Sequence, residues 1–548
     1  MDDQALASTI RQAIGQAHTL TLGALPLFYP ILDTLDLRGI VNAMRPTKAD
    51  LDLGSVALVL VLNRLMAPQP LYWVHRWLAQ TVLPAALDVS PPKLYDQRLG
   101  RALDAIHSHL GEIWARLVVR AVQVWQLDLS VLHWDITSFY FTGAYSQSEL
   151  LRRGYSRDKR PDTKQVNLET DVTHGTRVPV GYRVLPGQTA DITCPPGHLQ
   201  AVLRLLNRPE LAALNLRPIL VSDGKMVTPQ AISDCHYHHL FYLGPLPATN
   251  AVRRLLRGVS TDELAAHELT YRPKRHRQGS GTPQAQDAAF VPYQGVWRPF
   301  QVTVPPPTDQ PEAPQRVYTD RAVVVWSAGK ARLDVGKRRT YLKRLLDELD
   351  NIRRQLNQGR YAERDYVVDR IGSVRRGNPA KNLVWWELQG TDGQLSLKFH
   401  LDRDRLAAVQ VLDGRYALGT NAGHLSADQT LHLFKGQDDA EKQFQVLKSP
   451  LAVRPVFLHS DQRIEGLVFV TLVALLVRAL LSAQCQQAGV SVSVDRVLAE
   501  FAPWSVVDLA LTDGSQVRQV ATPTEFQAEV MTRLGVPTCD RYLTSLTR

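Results

Sequence analysis

The stretch "SVLHWDITSFYFTGAY" at residues 130–145 combines a strand-like composition with a single acid near its middle. Apolar, β-branched and aromatic residues on both sides of Asp135 favour a strand that crosses a sheet. An acid in a buried strand needs a partner that compensates its charge. Asp135 therefore lies on a solvated face of the strand, or it holds a metal ion at the edge of a sheet. Other candidate ligand residues elsewhere in the chain are needed to distinguish these two interpretations of Asp135.

The composition describes a globular protein with several domains. A chain of 548 residues is too long for one ordinary core, and its length suggests about three or four domains. Hydrophobic residues make up 45% and charged residues 21% of the chain, as in soluble proteins. Lys and Arg number 63 against 53 acids, which gives a net charge of +10. This excess favours a polyanionic partner, although a merely basic enzyme has the same balance.

The cysteines, the N-terminus and the apolar segments indicate in which cellular compartment the protein is expected. None of the four cysteines forms a Cys-x-x-Cys pair, so we expect a reducing cytoplasm. The segment "CHYHH" at 235–239 is interpreted as a strand, and no second ligand cluster follows at zinc-finger spacing. The N-terminus is too acidic and polar for a signal peptide. The apolar run 466–483 carries Arg478, and we expect a buried core helix rather than a membrane span.

The chain is expected to contain an α/β core that is interrupted by an insertion. The pattern predicts a helical module at 1–125, the first part of the core at 126–255, a β-rich insertion with one basic helix at 256–415, and the second part of the core with C-terminal helices at 416–548. Core elements are predicted as strands at 130–137, 163–171, 177–185 and 217–224, a helix at 197–206 and a helix over 426–450.

Two further acids lie at positions where they could serve as metal ligands. Asp223 follows the apolar run 219–222 and precedes Gly224, at the kind of strand end where α/β sheets place ligand groups. An Asp that starts a turn would give the same pattern. Glu441 shares one face of a predicted helix with Phe434, Gln437 and Lys448. An amphipathic surface helix explains that face equally well.

With these acidic motifs in this order, the chain resembles the DDE transposases of bacterial insertion sequences. The resemblance is to their cut-and-paste branch, which has an RNase H-like catalytic core. That branch carries its glutamate in the motif Y-x2-R-x3-E-x6-K, and this chain has Phe434-x2-Gln437-x3-Glu441-x6-Lys448. The spacing, the Glu and the Lys match, whereas the Tyr and the Arg do not. The segments "GYSRDKRPDTKQ" (154–165) and "RPVFLHSDQRIEGLVFV" (454–470) and the N-terminal "GALPLFYPILDTL" also resemble stretches of this group.

The resemblance implies an α/β RNase H-like core, interrupted by a β-rich insertion, that cuts and joins DNA. In such a protein, the helical module at 1–125 is expected to bind DNA and to recognise the element ends. Asp135, Asp223 and Glu441 would be the catalytic triad and would hold two Mg²⁺ ions, for which Mn²⁺ can substitute. Contacts to DNA phosphates are expected from the basic segment 152–164 and from the motif helix, through Arg157, Lys159, Arg160, Lys164, Gln437 and Lys448.

The partners that the resemblance implies are double-stranded DNA, at the element ends and at the target, and a second copy of the chain when two ends are held together. The expected location is the bacterial cytoplasm, with the nucleoid. Two alternatives remain: a catalytically inactive or domesticated relative that only binds DNA, and an RNase H-like nuclease without strand transfer. Phe434 and Gln437 favour the first alternative slightly, because neither side chain can act as a charged clamp on phosphate.

Overall fold

The computed structural model describes residues 14–141, 145–155, 162–224, 226–272, 291–448, 451, 458, 460–512, 516–537 and 539–543. The chain divides into two compact units. Unit 1 comprises Met1–Val221 and Gly436–Arg548, and unit 2 comprises Ser222–Lys435.

Unit 1 is a mixed α/β unit. Its strands are β1 (Ile14–Thr21), β2 (Val131–Phe141), β3 (Lys164–Thr173), β4 (Pro179–Pro186), β5 (Ile219–Val221), β13 (Ser505–Leu511) and β14 (Gln516–Val520). Its helices are α1 (Leu25–Leu35), α2 (Leu37–Met44), α3 (Leu53–Met66), α4 (Val74–Ala79), α5 (Leu83–Leu87), α6 (Asp96–Ile106), α7 (Leu110–Trp125), α8 (Pro195–Leu206), α9 (Pro209–Ala212), α17 (Asp438–Lys448), α18 (Asp461–Gln487), α19 (Val494–Phe501) and α20 (Glu525–Leu534).

The main sheet of unit 1 has the order β4-β3-β2-β5. Strands β2, β3 and β4 pair antiparallel, and β5 pairs parallel to β2. The four strands and helix α8 lie where the sequence predicts them, because strongly apolar, β-branched runs and a 3.6-residue period are local signals. Strand β2 is longer than predicted, since the pairing with β3 continues through Phe141. Strand β5 is shorter than the predicted 217–224, since it ends at Val221.

The described part of the N-terminal segment is mostly helical, as the sequence pattern predicts, but it also contains a strand that the pattern did not predict. Strand β1 pairs antiparallel with β13 in a second sheet, whose order is β1-β13-β14. The partner of β1 lies almost at the other end of the chain, so no local pattern could predict this pairing.

Helix α18 is the long apolar helix of unit 1. By length and composition it could cross a membrane, yet 94% of its most apolar window is buried within the protein. It packs against α1, α3 and α6, and the Arg478 side chain within it pairs with Asp495. These contacts agree with the expected core helix. They also join the N-terminal helices to the C-terminal part of the chain in one core.

Unit 2 contains strands β6 (Phe241–Pro245), β7 (Glu268–Leu269), β8 (Tyr293–Val304), β9 (Arg316–Trp326), β10 (Val384–Gln389), β11 (Ser396–Leu401) and β12 (Arg415–Thr420). Its helices are α10 (Pro229–Tyr237), α11 (Asn250–Arg257), α12 (Thr261–Ala265), α13 (Ala328–Gln355), α14 (Arg364–Arg375), α15 (Arg403–Gln410) and α16 (Ala427–Lys435). The strands β6-β12-β9-β8-β7 are neighbours in that order and pair antiparallel. The hairpin β10–β11 and helices α13 and α14 share a separate apolar cluster.

The "CHYHH" segment forms the last turn of a helix, through Tyr237, and the turn that follows it, so its interpretation as a strand is wrong. Helix α10 begins at Pro229, and the Thr228 side chain caps it by accepting a hydrogen bond from the Ala231 N–H. His236 stacks on Tyr318 and lies 2.9 Å from Asp320 Oδ1. The alternating histidines suggested a strand, but the start signal at Thr228 and Pro229 determines the helix.

Candidate functional site

Asp135 lies in the middle of β2, on the face that the odd-numbered residues of this strand share. His133, Thr137 and Phe139 belong to the same face, because successive side chains of a strand point to opposite sides. The Asp135 side chain is half-buried, and its Oδ1 accepts a hydrogen bond from the Ile136 N–H at 2.7 Å. The opening strand therefore carries its acid on one face, next to a buried histidine.

The segment predicted as one helix over 426–450 is broken at Gly436. Helix α16 ends at Lys435, and α17 begins at Asp438. A Cβ at Gly436 would lie 2.8 Å from His174 Nδ1 and 2.9 Å from the His133 ring. Phe434 and Glu441 therefore belong to different helices, and the expected common face of 434, 437, 441 and 448 is wrong for Phe434.

Gln437 holds the start of α17 against β2. Its Nε2 donates a hydrogen bond to the Trp134 carbonyl oxygen at 2.7 Å, and its Oε1 lies 3.3 Å from His133 Nδ1. The residue is 7% exposed, so both ends of its amide are used inside the protein. A buried amide that is hydrogen-bonded at both ends fixes the position of the segment that carries it.

The other end of α17 lies over the far part of β2. The Lys448 ammonium nitrogen is 5.9 Å from the Phe139 ring centroid. The helix advances about 16 Å between 437 and 448, and β2 advances about 20 Å between 133 and 139, so the two run side by side. Glu441 lies on α17, the helix that packs against the strand of Asp135. The Glu441 side chain is exposed, as expected at the open edge of such a site.

Asp223 belongs to unit 2 and follows β5 by two residues. It is exposed, and the next residue, Gly224, has a φ of +114°, which favours glycine. The Ser222 Oγ accepts a hydrogen bond from the Met226 N–H at 3.1 Å and so supports this turn. The chain therefore turns sharply directly after Asp223, as the sequence predicts.

The residues predicted to contact DNA have different surroundings. Arg157, Lys159 and Arg160 lie outside the described residues. Lys164 is half-buried and donates a hydrogen bond to the Tyr145 carbonyl oxygen at 2.6 Å. Gln437 is buried against β2, and its expected contact to DNA, like that of Lys448, stays a prediction.

Sequence reasoning missed a group of polar side chains beside Asp135. His133 Nε2 lies 2.9 Å from His174 Nδ1, and Asp439 Oδ1 accepts a hydrogen bond from Arg177 Nε at 2.6 Å. One ligand atom from each of His133, His174 and Asp439 lies within 4.8 Å of the others. Burial lowers the pKa of His133 to about 4. The only local signal was His133 at i−2 from Asp135, and its partners come from distant segments.

The opposite face of β3 carries a second buried polar group. His198 Nε2 lies 2.6 Å from Asp171 Oδ1, and the His198 ring stacks on Trp134. Glu169, two residues from Asp171, has Arg183 Nη1 at 3.1 Å from its Oε2. Burial raises the pKa of Glu169 in spite of this arginine.

Basic side chains are concentrated in one part of unit 2. Residues 328–411 contain 18 Lys and Arg against 11 acids, so this segment carries +7 of the net charge of +10. A groove of about 340 Å³ between α13 and α14 is lined by Arg344, Arg370 and Arg376. Of these, Arg370 lies 3.8 Å from Glu348, and the side chains of the other two make no ion pair with any described residue. The groove therefore presents cationic groups to solvent.

Three tryptophans of unit 2 lie close to a cationic side chain or to another aromatic ring. Arg321 lies over the Trp297 ring at 3.8 Å, and Arg375 lies 5.5 Å from the Trp386 ring centroid. Trp385 is 42% exposed and its ring is 4.7 Å from the His400 ring.

Comparison with known proteins gives two similarities and one negative result. Residues 17–118 match a domain of unknown function, DUF4277, and this domain family is found in transposases. No curated protein matches the chain. A solved cryo-EM structure, the piggyBac transposase synaptic complex with hairpin DNA, is similar at 8% identity and a TM-score of 0.36, over 95% of this chain and 82% of that chain. A TM-score this low does not establish a shared fold.

Proposed function

We propose that the protein is a DNA transposase that binds the terminal inverted repeats of its element, cleaves phosphodiester bonds there and joins the 3′ ends to target DNA. The observation that carries the proposal is the course of α17 along β2. Gln437, directly before the helix, contacts Trp134, and Lys448, at its end, lies near Phe139, so the helix that carries Glu441 packs against the strand that carries Asp135. Two acids of the proposed triad thus belong to adjacent elements of one unit.

The third acid of the proposed triad is Asp223, which follows strand β5. Val131 pairs with Ile219 and His133 pairs with Val221, an offset of 88 residues. Asp223 follows Asp135 by the same 88 residues. Asp223 lies two residues beyond Val221, the last residue of β5, and we infer that it is the third acid. Together with Glu441, it would complete the triad of a DDE transposase.

The donor set fits Mg²⁺. Three carboxylates supply the hard oxygen ligands that Mg²⁺ prefers, and an ion that keeps several waters needs an open site. Glu441 and Asp223 are exposed and Asp135 is half-buried, which suits such an ion. When bound, a pair of Mg²⁺ ions would activate the attacking oxygen and stabilise the leaving oxygen.

The chain's own residues would orient the carboxylates and the DNA. Gln437 takes the place of the motif arginine, and in this protein it fixes the start of α17 rather than offering a charged clamp. Lys448 lies two helical turns beyond Glu441 and is the residue of the motif that would reach a phosphate. Strands β2, β3 and β4 with parallel β5 are loosely consistent with an RNase H-like core.

The charge of unit 2 supports a DNA partner. A net charge of +7 over 328–411 would attract phosphates, and the groove with Arg344, Arg370 and Arg376 offers guanidinium groups suited to phosphate oxygens. Since two ends must be held together for joining, a homodimer in the bacterial cytoplasm, at the nucleoid, completes the proposal.

The proposal is tested with labelled DNA that carries the inverted repeats flanking the gene. Full-length protein, Mg²⁺, labelled end DNA and a target plasmid are incubated, and cut ends and joined products are separated. A transposase gives both cut ends and joined products. Cut ends without joining would indicate the nuclease, and binding without cutting would indicate the inactive relative, so either result would contradict the proposal.

A further inference from the structure

We propose that His133, His174 and Asp439 bind a divalent transition-metal ion of the Zn²⁺ class, at a site distinct from the carboxylate triad. One candidate ligand atom from each residue lies within 4.8 Å of the other two. Two imidazoles and one carboxylate are a ligand set that Zn²⁺ accepts with a water as the fourth ligand. Nitrogen ligands select for this class of ion and against Mg²⁺.

The hydrogen bonds of Gln437 prepare His133 as a ligand. The Trp134 carbonyl oxygen can only accept, so Gln437 must direct its NH₂ group there and its Oε1 towards His133. His133 Nδ1 therefore carries the proton and donates to this oxygen. His133 Nε2 is then left with a lone pair, which points towards His174. A histidine whose second nitrogen donates to a carbonyl-type oxygen is the usual arrangement at zinc sites.

His174 supplies the second nitrogen and an entry path. Its Nδ1 lies 2.9 Å from His133 Nε2, so without metal this Nδ1 donates its proton to the His133 lone pair. Tetrahedral Zn²⁺ with bonds of about 2.0–2.1 Å separates two nitrogens by about 3.3 Å, a small widening of the pair. The Nδ1 proton is lost to solvent while Nε2 takes one up, so His174 stays neutral. Because His174 is exposed, the ion can enter from solvent.

Asp439 has capacity left for a metal. Its Oδ1 accepts from Arg177 Nε at 2.6 Å, and its Oδ2 accepts from the Gly175 N–H at 3.3 Å. A carboxylate offers about four acceptor positions, so these two hydrogen bonds orient the group without filling it. Asp439 is buried in the first turn of α17. An ion held here would therefore tie α17 to β2 and to the turn after β3.

The site requires glycine at 436. A Cβ at this position would lie within 2.9 Å of both imidazole rings, so the close approach of the chain to the histidine pair depends on its absence. This observation is independent of the ligand distances. It shows that the backbone before α17 is shaped around the two rings.

The test is a titration of metal-free, full-length protein with Zn²⁺ by calorimetry. Wild type is expected to bind one equivalent. His174→Ala should lower the affinity by at least about tenfold, since even the loss of a residue that hydrogen-bonds to a ligand costs that much at zinc sites. His267→Ala, which removes another exposed histidine, is the matched control and should bind like wild type. Zn²⁺ should also raise the Tm of wild type and of the control, and not that of His174→Ala.

A second variant separates this site from the proposed Mg²⁺ site. Asp135→Asn should keep its Zn²⁺ affinity, because Asp135 is not one of the three ligands. The result does not depend on any activity towards DNA, so it can succeed or fail independently of the proposed function. The inference is overturned if wild type binds no Zn²⁺, or if His174→Ala binds it as tightly as wild type.

Discussion

The side-chain amide of Gln437 donates a hydrogen bond to the backbone carbonyl of Trp134 at 2.7 Å. The contact joins the residue directly before α17 to the neighbour of Asp135 in β2. It therefore sets the point of the strand at which the helix with Glu441 begins. The position that the motif gives to arginine is here a buried packing position, and a neutral amide suits it because a buried charge would need a partner.

Removal of this contact should destabilise unit 1. Gln437→Ala leaves the buried His133 Nδ1–H without its acceptor, so the free energy of unfolding should fall by about 1–3 kcal/mol. Gln445→Ala, an exposed change on the same helix, is the control and should stay within about 0.5 kcal/mol of wild type. Urea unfolding of the three proteins measures both values. Equal midpoints for the two variants would show that the amide does not fix the helix.

Lys448 should contribute a single phosphate contact. Lys448→Ala is expected to slow cleavage and to reduce the slope of log K for end binding against log salt by about one unit. Lys442→Ala is the control, since the Lys442 ammonium pairs with Asp438 on the same helix. End affinity at several salt concentrations measures the slopes. An unchanged slope together with normal cleavage would exclude Lys448 from the site, and its stem would then only pack beside Phe139.

Glu169 should make stability depend on pH. Burial raises its folded-state pKa above the ordinary value of 4.5, so the folded protein retains a proton that the unfolded chain releases. As pH rises from about 4.5 through the raised pKa, wild type should lose stability relative to Glu169→Gln, which cannot ionise. Urea midpoints over this range, with exposed Glu149→Gln as the control, test the sign. A difference between wild type and Glu169→Gln that does not grow with pH would contradict it.

Much of unit 1 is predictable from the sequence because its signals are local. The apolar runs of β2, β3 and β5 and the period of α8 determine their elements without help from distant residues. The pairing of β1 with β13 and the His133–His174 contact are not predictable in this way, since each joins distant segments.

The acids of the candidate site, Asp135, Asp223 and Glu441, come from the sequence, and their common role stays a prediction. The break at Gly436 was not predictable, because it depends on imidazoles that the local helical pattern does not contain. The packing of α18 against α1, α3 and α6 was not predictable either, because it joins segments that are far apart in the sequence. It means that deletion of 1–125 would expose the apolar surface of α18, so end recognition by this segment must be tested with surface variants.

The most direct test of the central claim is cleavage of end DNA by carboxylate variants in Mg²⁺. Asp135→Asn, Asp223→Asn and Glu441→Gln should each abolish cutting and joining while end binding stays close to wild type, because these groups serve the metal rather than the phosphates. Asp438→Asn, an exposed change on the helix of Glu441, should cut and join like wild type. Persistent Mg²⁺-dependent cutting by any of the three variants would contradict the account.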